Sequence, residues 1–114
     1  MSKTGVLGAF EEMVLLAVLH QGEGAFGVSI RRELQERTES DVAMGAVYAT
    51  LDRLENKGLV KSRTGERHVS RRGRPRRYYD IQPAGTTELE RTLNVRDRMW
   101  DGIELPTATR SVDA

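Results

Sequence analysis

The sequence predicts a mainly α fold with a small β-hairpin, an α+β architecture, and three observations predict it. Four segments repeat apolar residues at the helical period. One stretch between the third and fourth segments reads as two strands around a turn-rich loop. The 114 residues contain no cysteine, so an apolar core rather than disulfides or thiolate-bound metal has to hold the fold. With 38% hydrophobic and 31% charged residues, the composition fits one domain and is too apolar for a disordered chain.

The elements follow in order. Residues 7–21 form the first helix, with Leu7, Phe10, Val14, Ala17 and Val18 on one face, and Gly22-Glu23-Gly24 ends it. The second runs over 26–37 and turns Phe26, Ile30 and Leu34 to the core. Thr38 to Asp41 is a polar break. The third runs over 43–57 and is stopped by Gly58; Met44, Val47, Leu51 and Leu54 form its core face. Gly45, Ala49, Asp52 and Asn56 point the opposite way, with Tyr48 and Arg53 on the flanks. Residues 59–63 and 76–81 are the two strands, and Thr64 to Pro75 is a long basic tip. Pro83 suits the start of a fourth helix over 84–100. Three helices, a two-stranded wing and a further helix give a winged helix-turn-helix plus a C-terminal dimerisation helix. The expected division is 1–82 for the winged unit, 83–105 for the dimerisation helix and 106–114 for a frayed tail.

Charge is distributed unevenly. The net charge is +1, yet the stretch from Lys61 to Arg77 holds eight Lys or Arg residues and one acid, Glu66. The remainder holds ten basic and sixteen acidic residues. A single basic patch on an otherwise acidic molecule is an oriented electrostatic device. Arg71, Arg72, Arg74, Arg76 and Arg77 surround Gly73 and Pro75, a tip shaped to enter a groove, and guanidinium groups suit phosphates and narrow minor grooves. Lys61, Arg63 and Arg67 widen the patch.

The third helix is the candidate recognition helix. Gly45 and Ala49 are small enough to let its backbone approach a phosphate or base edge, and the positive helix end around Ala43 to Ala46 favours a phosphate. Tyr48 offers a hydroxyl and Arg53 a charge. Few long polar side chains point outward, so specificity leans partly on DNA shape. On the fourth helix Leu89, Leu93, Trp100 and Ile103, with Arg96 between them, approximate a heptad stripe. That stripe either meets a second copy or folds back on the first helix, where Phe10 lies, or does both. Trp100 is an interface anchor or the wall of an apolar ligand pocket.

Other function classes are excluded by what is lacking. His20 and His68 have no second ligand at metal spacing and no nucleophile beside them, and no phosphate-binding glycine loop is present. Neither an enzyme, a metal site nor a cofactor is expected. The longest apolar run, Met13 to Leu19, is seven residues, against the ~20 that a membrane span requires. No signal peptide is read at the start, so a cytoplasmic protein is expected.

Three stretches resemble the PadR family of bacterial transcriptional regulators over about residues 7–100. Gly24-Ala25-Phe26-Gly27-Val28-Ser29-Ile30 is similar to the start of that family's second helix. The run from Met44 to Val60, with Tyr48, Leu51, Leu54 and Gly58, is similar to its recognition helix and the start of the wing. Gly73-Arg74-Pro75-Arg76-Arg77-Tyr78-Tyr79, followed by Ala84-Gly85, is similar to its wing and exit. Where the family commonly has Thr or Ser and a Pro near the Tyr, this chain has Ala46 and Ala49. The resemblance implies a dimeric repressor binding double-stranded DNA at a palindromic operator. It also implies, for some members, an aromatic effector held between subunits by a Trp on the C-terminal helix, the region of Trp100. The short C-terminal region matches the family's smaller subgroup. A winged module docking an acidic protein through its basic loop is the competing expectation.

Overall fold

The computed structural model describes residues 6–69 and 75–106, with backbone alone at 66–69. Six elements follow one another: α1 (Ala9–Gln21), α2 (Gly27–Thr38), α3 (Met44–Asn56), β1 (Val60–Val69), β2 (Pro75–Ile81) and α4 (Pro83–Trp100). This is the winged-helix order. The expected basic tip at Arg71, Arg72, Gly73 and Arg74, and the tail from residue 107, lie outside the described residues.

Glycines terminate the helices where the sequence places them. Gly22 after α1 and Gly58 after α3 take φ of 67° and 79°, a region that costs a residue with a Cβ about 1–2 kcal/mol. Glu11 and Glu12 sit in the first turn of α1, where their charge suits the helix dipole. Leu7 lies before α1 rather than inside it. Its N–H donates to the Thr92 hydroxyl at 3.0 Å, tying the start of the chain to α4.

Side chains fix the turn between α2 and α3. Gln35 Oε1 accepts from the Val42 N–H at 3.0 Å, and Arg31 Nε donates to the Val42 carbonyl at 2.6 Å. Glu39 takes the left-handed conformation that ends α2. These bonds hold α3 at a set angle to α2.

The core lies between the helices and the base of the hairpin. Val14, Leu15, Ala17 and Val18 of α1 meet Ile30, Leu34, Val47, Leu51 and Leu54, closed below by Leu59, Val60 and Tyr79. Leu15 is fully buried although outside the expected stripe, because the run from Met13 to Leu19 is apolar on every face and periodicity could not rank its residues.

The hairpin is longer than expected. Its strands pair antiparallel from Val60↔Ile81 to Thr64↔Arg77, and pairing resumes at Val69↔Pro75 after a register shift. Over that interval β1 uses five residues where β2 uses two, the mark of a bulge. Ladder bonds are made by backbone, so the basic polar composition that reads as loop does not prevent pairing. The strand set also has an outlying member: Phe26 bridges Tyr78, and the Tyr79 N–H donates to the Ala25 carbonyl at 2.9 Å.

α4 begins against the hairpin base. The Gln82 N–H donates to the Leu59 carbonyl at 2.9 Å, and Gly85 lies so close to that carbonyl that a Cβ there would clash. Gly85, Leu89 and Thr92 form its buried stripe. The radius of gyration, 16.6 Å, exceeds the roughly 13 Å of a spherical domain of this length.

Candidate nucleic-acid interface

α3 presents the face the sequence assigns to it. Val47, Thr50, Leu51 and Leu54 are buried, and Gly45, Ala46, Ala49, Asp52 and Asn56 are exposed on the other side. No side chain caps the helix at Ala43. Tyr48 is 44% exposed and its ring rests on Gly27, at the start of α2. A Cβ on Gly27 would stand under 3.0 Å from that ring.

Arg53 departs from expectation. Rather than standing free on the flank, it donates to the Thr50 hydroxyl at 3.1 Å and lies 3.6 Å from the Glu11 carboxylate of α1. Lys57 reaches the same carboxylate at 3.0 Å. Glu11 therefore offsets the charge at this end of α3. Burial pushes the Glu11 carboxyl up, but the hydrogen bonds and charge of Lys57, with the Gly8 backbone and Arg53, outweigh it and hold the pKa below the ordinary value.

Stability from a carboxyl with a lowered folded pKa is present above its unfolded pKa and is lost as pH falls through the folded one. Glu11→Gln is expected to cost about 0.5–1 kcal/mol at pH 7, the range for a partly exposed ion pair. The difference from wild type should narrow as pH falls below the ordinary Glu value and close once the pH is below the lowered folded pKa. Denaturant melts at both pH values check this.

In the wing, Arg63, Arg76 and Arg77 are already engaged. Arg63 Nε is 2.9 Å from Asp80 Oδ2, and the Arg63 guanidinium lies 5.0 Å from the centre of the Tyr78 ring. The Arg76 guanidinium lies 4.0 Å from the centre of the Phe26 ring. Arg77 hydrogen-bonds the hydroxyl of Tyr79, whose pKa burial raises. Lys61, Arg63, Pro75 and Arg77 are exposed and Arg76 is half-buried. These partners orient the guanidinium groups before any ligand arrives.

Phe26 was expected in the core. It is instead half-buried, edge-on to Tyr78 with ring centres 6.1 Å apart and an interplanar angle of 81°. Phe26 is thus a partner of the wing that the sequence reading missed, and Tyr78, read as a wing residue, is also its aromatic contact. The signal was the Tyr78-Tyr79 pair: on a strand, adjacent residues face opposite sides, so only one enters the core.

The residues expected at a dimer interface divide into two groups. Leu89 is 8% exposed and packs in the chain's own core, the fold-back alternative for that position. Phe10 is half-buried against that core, and Arg96 pairs with Glu12 of α1 at 2.8 Å. Leu93 and Trp100 are 55% and 56% exposed. Ile103 is exposed too, but it follows the helix rather than continuing its stripe, since α4 ends at Trp100. Met99, Trp100, Ile103 and Leu105 line one open apolar hollow. Met13, Leu16 and Leu19 of α1, not singled out from sequence, are also exposed.

Among the described residues no three His, Cys, Asp or Glu side chains are grouped to hold a metal ion, and no helix is long and apolar enough to cross a membrane. The model of the transcriptional regulator PadR-like family matches residues 15–91. RosR of H. salinarum is 28% identical, with a TM-score of 0.65 over 86% of this chain and 81% of its own. A PadR-like transcription factor from Bacteroides fragilis is 26% identical, with a TM-score of 0.66 over 79% of this chain and 82% of its own. A PadR family transcription regulator from Clostridium difficile is 26% identical, with a TM-score of 0.60 over 81% of this chain and 88% of its own. No curated protein matches the sequence.

Proposed function

Since this chain belongs to the PadR-like family of transcriptional regulators, we propose that it is a homodimeric repressor that binds a palindromic operator in double-stranded DNA. The family is one of transcription regulators, which are not enzymes. One observation carries the reading. The exposed face of α3 bears only small or short side chains at Gly45, Ala46 and Ala49, and it stands beside a wing whose arginines are held in place. The bare face lets α3 lie close in the major groove, and the wing supplies phosphate contacts. Arg71, Arg72 and Arg74, outside the described residues, add their charge to the same role. Two copies joined through Leu93, Trp100 and the exposed α1 residues set the half-site spacing. An aromatic effector enters beside Trp100, where the exposed apolar hollow supports such a role. The site of action is the cytoplasm.

The test is a titration of labelled duplexes from the DNA upstream of the protein's own gene, at several salt concentrations. Submicromolar binding to one fragment is expected, weakening with salt at a logarithmic slope of about −0.9 per phosphate contacted. Failure to bind any fragment at about 50 mM salt, where phosphate contacts are strongest, would leave the basic wing to an acidic protein partner.

A further inference from the structure

Two neighbouring residues, neither of which carries a group that bonds a phosphate or a base, touch both DNA-facing elements. Phe26 precedes α2 in extended conformation, held there by Ser29, whose hydroxyl accepts from the Phe26 N–H and donates to its carbonyl, each at 3.0 Å. On the wing side, the Phe26 backbone bridges Tyr78, and the ring abuts Tyr78 and carries the Arg76 guanidinium. The Ala25 carbonyl adds a bond from the Tyr79 N–H. On the recognition-helix side, Gly27 accommodates the ring of Tyr48 in the space that any Cβ would fill. One dipeptide therefore fixes both the wing and the outward tyrosine of α3.

We propose that Phe26 and Gly27 are positioning residues that set the arginine-bearing wing against the recognition helix, so that DNA affinity depends on them. The inference rests on the DNA-binding reading. A guanidinium seated on an aromatic face has already lost part of its conformational freedom, so less is lost when it meets a phosphate. Tyr78 repeats the arrangement for Arg63, and Gly65 is bare where it passes the Tyr78 ring, since a Cβ there would collide with it. The wing face is thus a short stack of arginine on aromatic, with Phe26 as the member contributed from outside the hairpin.

The experiment compares Phe26→Leu, Phe26→Tyr and Gly27→Ala with wild type on a mixed-sequence duplex of about 30 base pairs, long enough for two half-sites. Affinity, salt slope and melting temperature are measured together. Phe26→Leu keeps apolar bulk but loses the ring face. It should bind about tenfold more weakly, with a shallower salt slope as the Arg76 contact is lost, while melting within a few degrees of wild type. Phe26→Tyr should restore both affinity and slope. Gly27→Ala should weaken binding without the change of slope, because it moves Tyr48 and not a charge. Wild-type affinity and slope in Phe26→Leu, or equal weakening by Leu and Tyr, would overturn the proposal alone. A wild-type protein that binds no duplex would overturn the DNA-binding reading and this inference with it.

Discussion

Ala49→Glu is expected to reduce DNA affinity at least about a hundredfold while leaving the fold intact. Ala49 sits at the centre of the exposed α3 face, one turn from Gly45 on one side and one turn from Arg53 on the other. A carboxylate there would stand among phosphates in the complex. Like charges brought together at an interface cost several kcal/mol, and two copies incur that cost twice. The free protein has little reason to object. Glu is nearly as good a helix former as Ala, within a few tenths of a kcal/mol, and the position is exposed. Fluorescence anisotropy on the operator fragment and a thermal melt by circular dichroism separate the two effects. Ala49→Ser, short and uncharged, should bind within a few-fold of wild type and serves as the control. If Ala49→Glu bound within threefold as well, the DNA would have to lie on another face.

How much of this face was legible from sequence depends on what each residue type announces. On α3 the stripe Val47, Leu51, Leu54 is large and apolar against small and polar opposites, so the period alone separates buried from exposed sides. α4 gives a misleading pattern. Its inward stripe is Gly85, Leu89 and Thr92, and Thr92 has no exposed surface at all. A glycine and a threonine do not announce a core. Gly85 is inside because a bare Cα is needed against the Leu59 carbonyl, and Thr92 because its hydroxyl receives the Leu7 N–H. Leu93, one residue on, is turned about 100° away and points outward, although four-residue spacing pairs it with Leu89. A single stripe from Leu89 to Ile103 is thus two faces, one occupied by α1 and one open.

The wing hides its logic in another way. Its arginines are conspicuous as charge, but the partners that orient them lie at sequence distances no periodicity links: Phe26 to Arg76, and Arg63 to Asp80 across the ladder. The Arg63–Asp80 contact is a diagonal pair on one sheet face, which follows from the register once Arg63↔Tyr78 is known and not before. The Glu11 carboxylate, forty-two residues from Arg53, is equally invisible until α1 and α3 are packed. Charge density is therefore readable from sequence, whereas charge that has been neutralised or seated is readable only from the fold.

Leu93→Asp combined with Trp100→Asp is expected to convert the protein from a dimer of twice 12.8 kDa to a monomer at micromolar concentration. Both side chains lie on the open face of α4 and are more than half exposed in a single copy, so the charges cost the isolated chain only the lower helix propensity of Asp and its place at the negative end of the helix, about 1 kcal/mol each. In a dimer they would be desolvated against apolar surface. An unpaired buried carboxylate costs several kcal/mol, and symmetry places four of them in one interface. DNA binding should fall with the dimer. A second recognition helix tethered to the first raises affinity by roughly two to four orders of magnitude without new contacts on the first half-site. The variant should retain only the weak, salt-sensitive attraction of one wing. Its melting temperature should also lose the dependence on protein concentration that a dissociating dimer shows. Sedimentation, titration on the full operator and melts at two concentrations test the three consequences separately. A wild-type protein that sediments at 12.8 kDa would remove the role of the open α4 face, and the apolar hollow around Trp100 would then have to be covered by something other than a second copy.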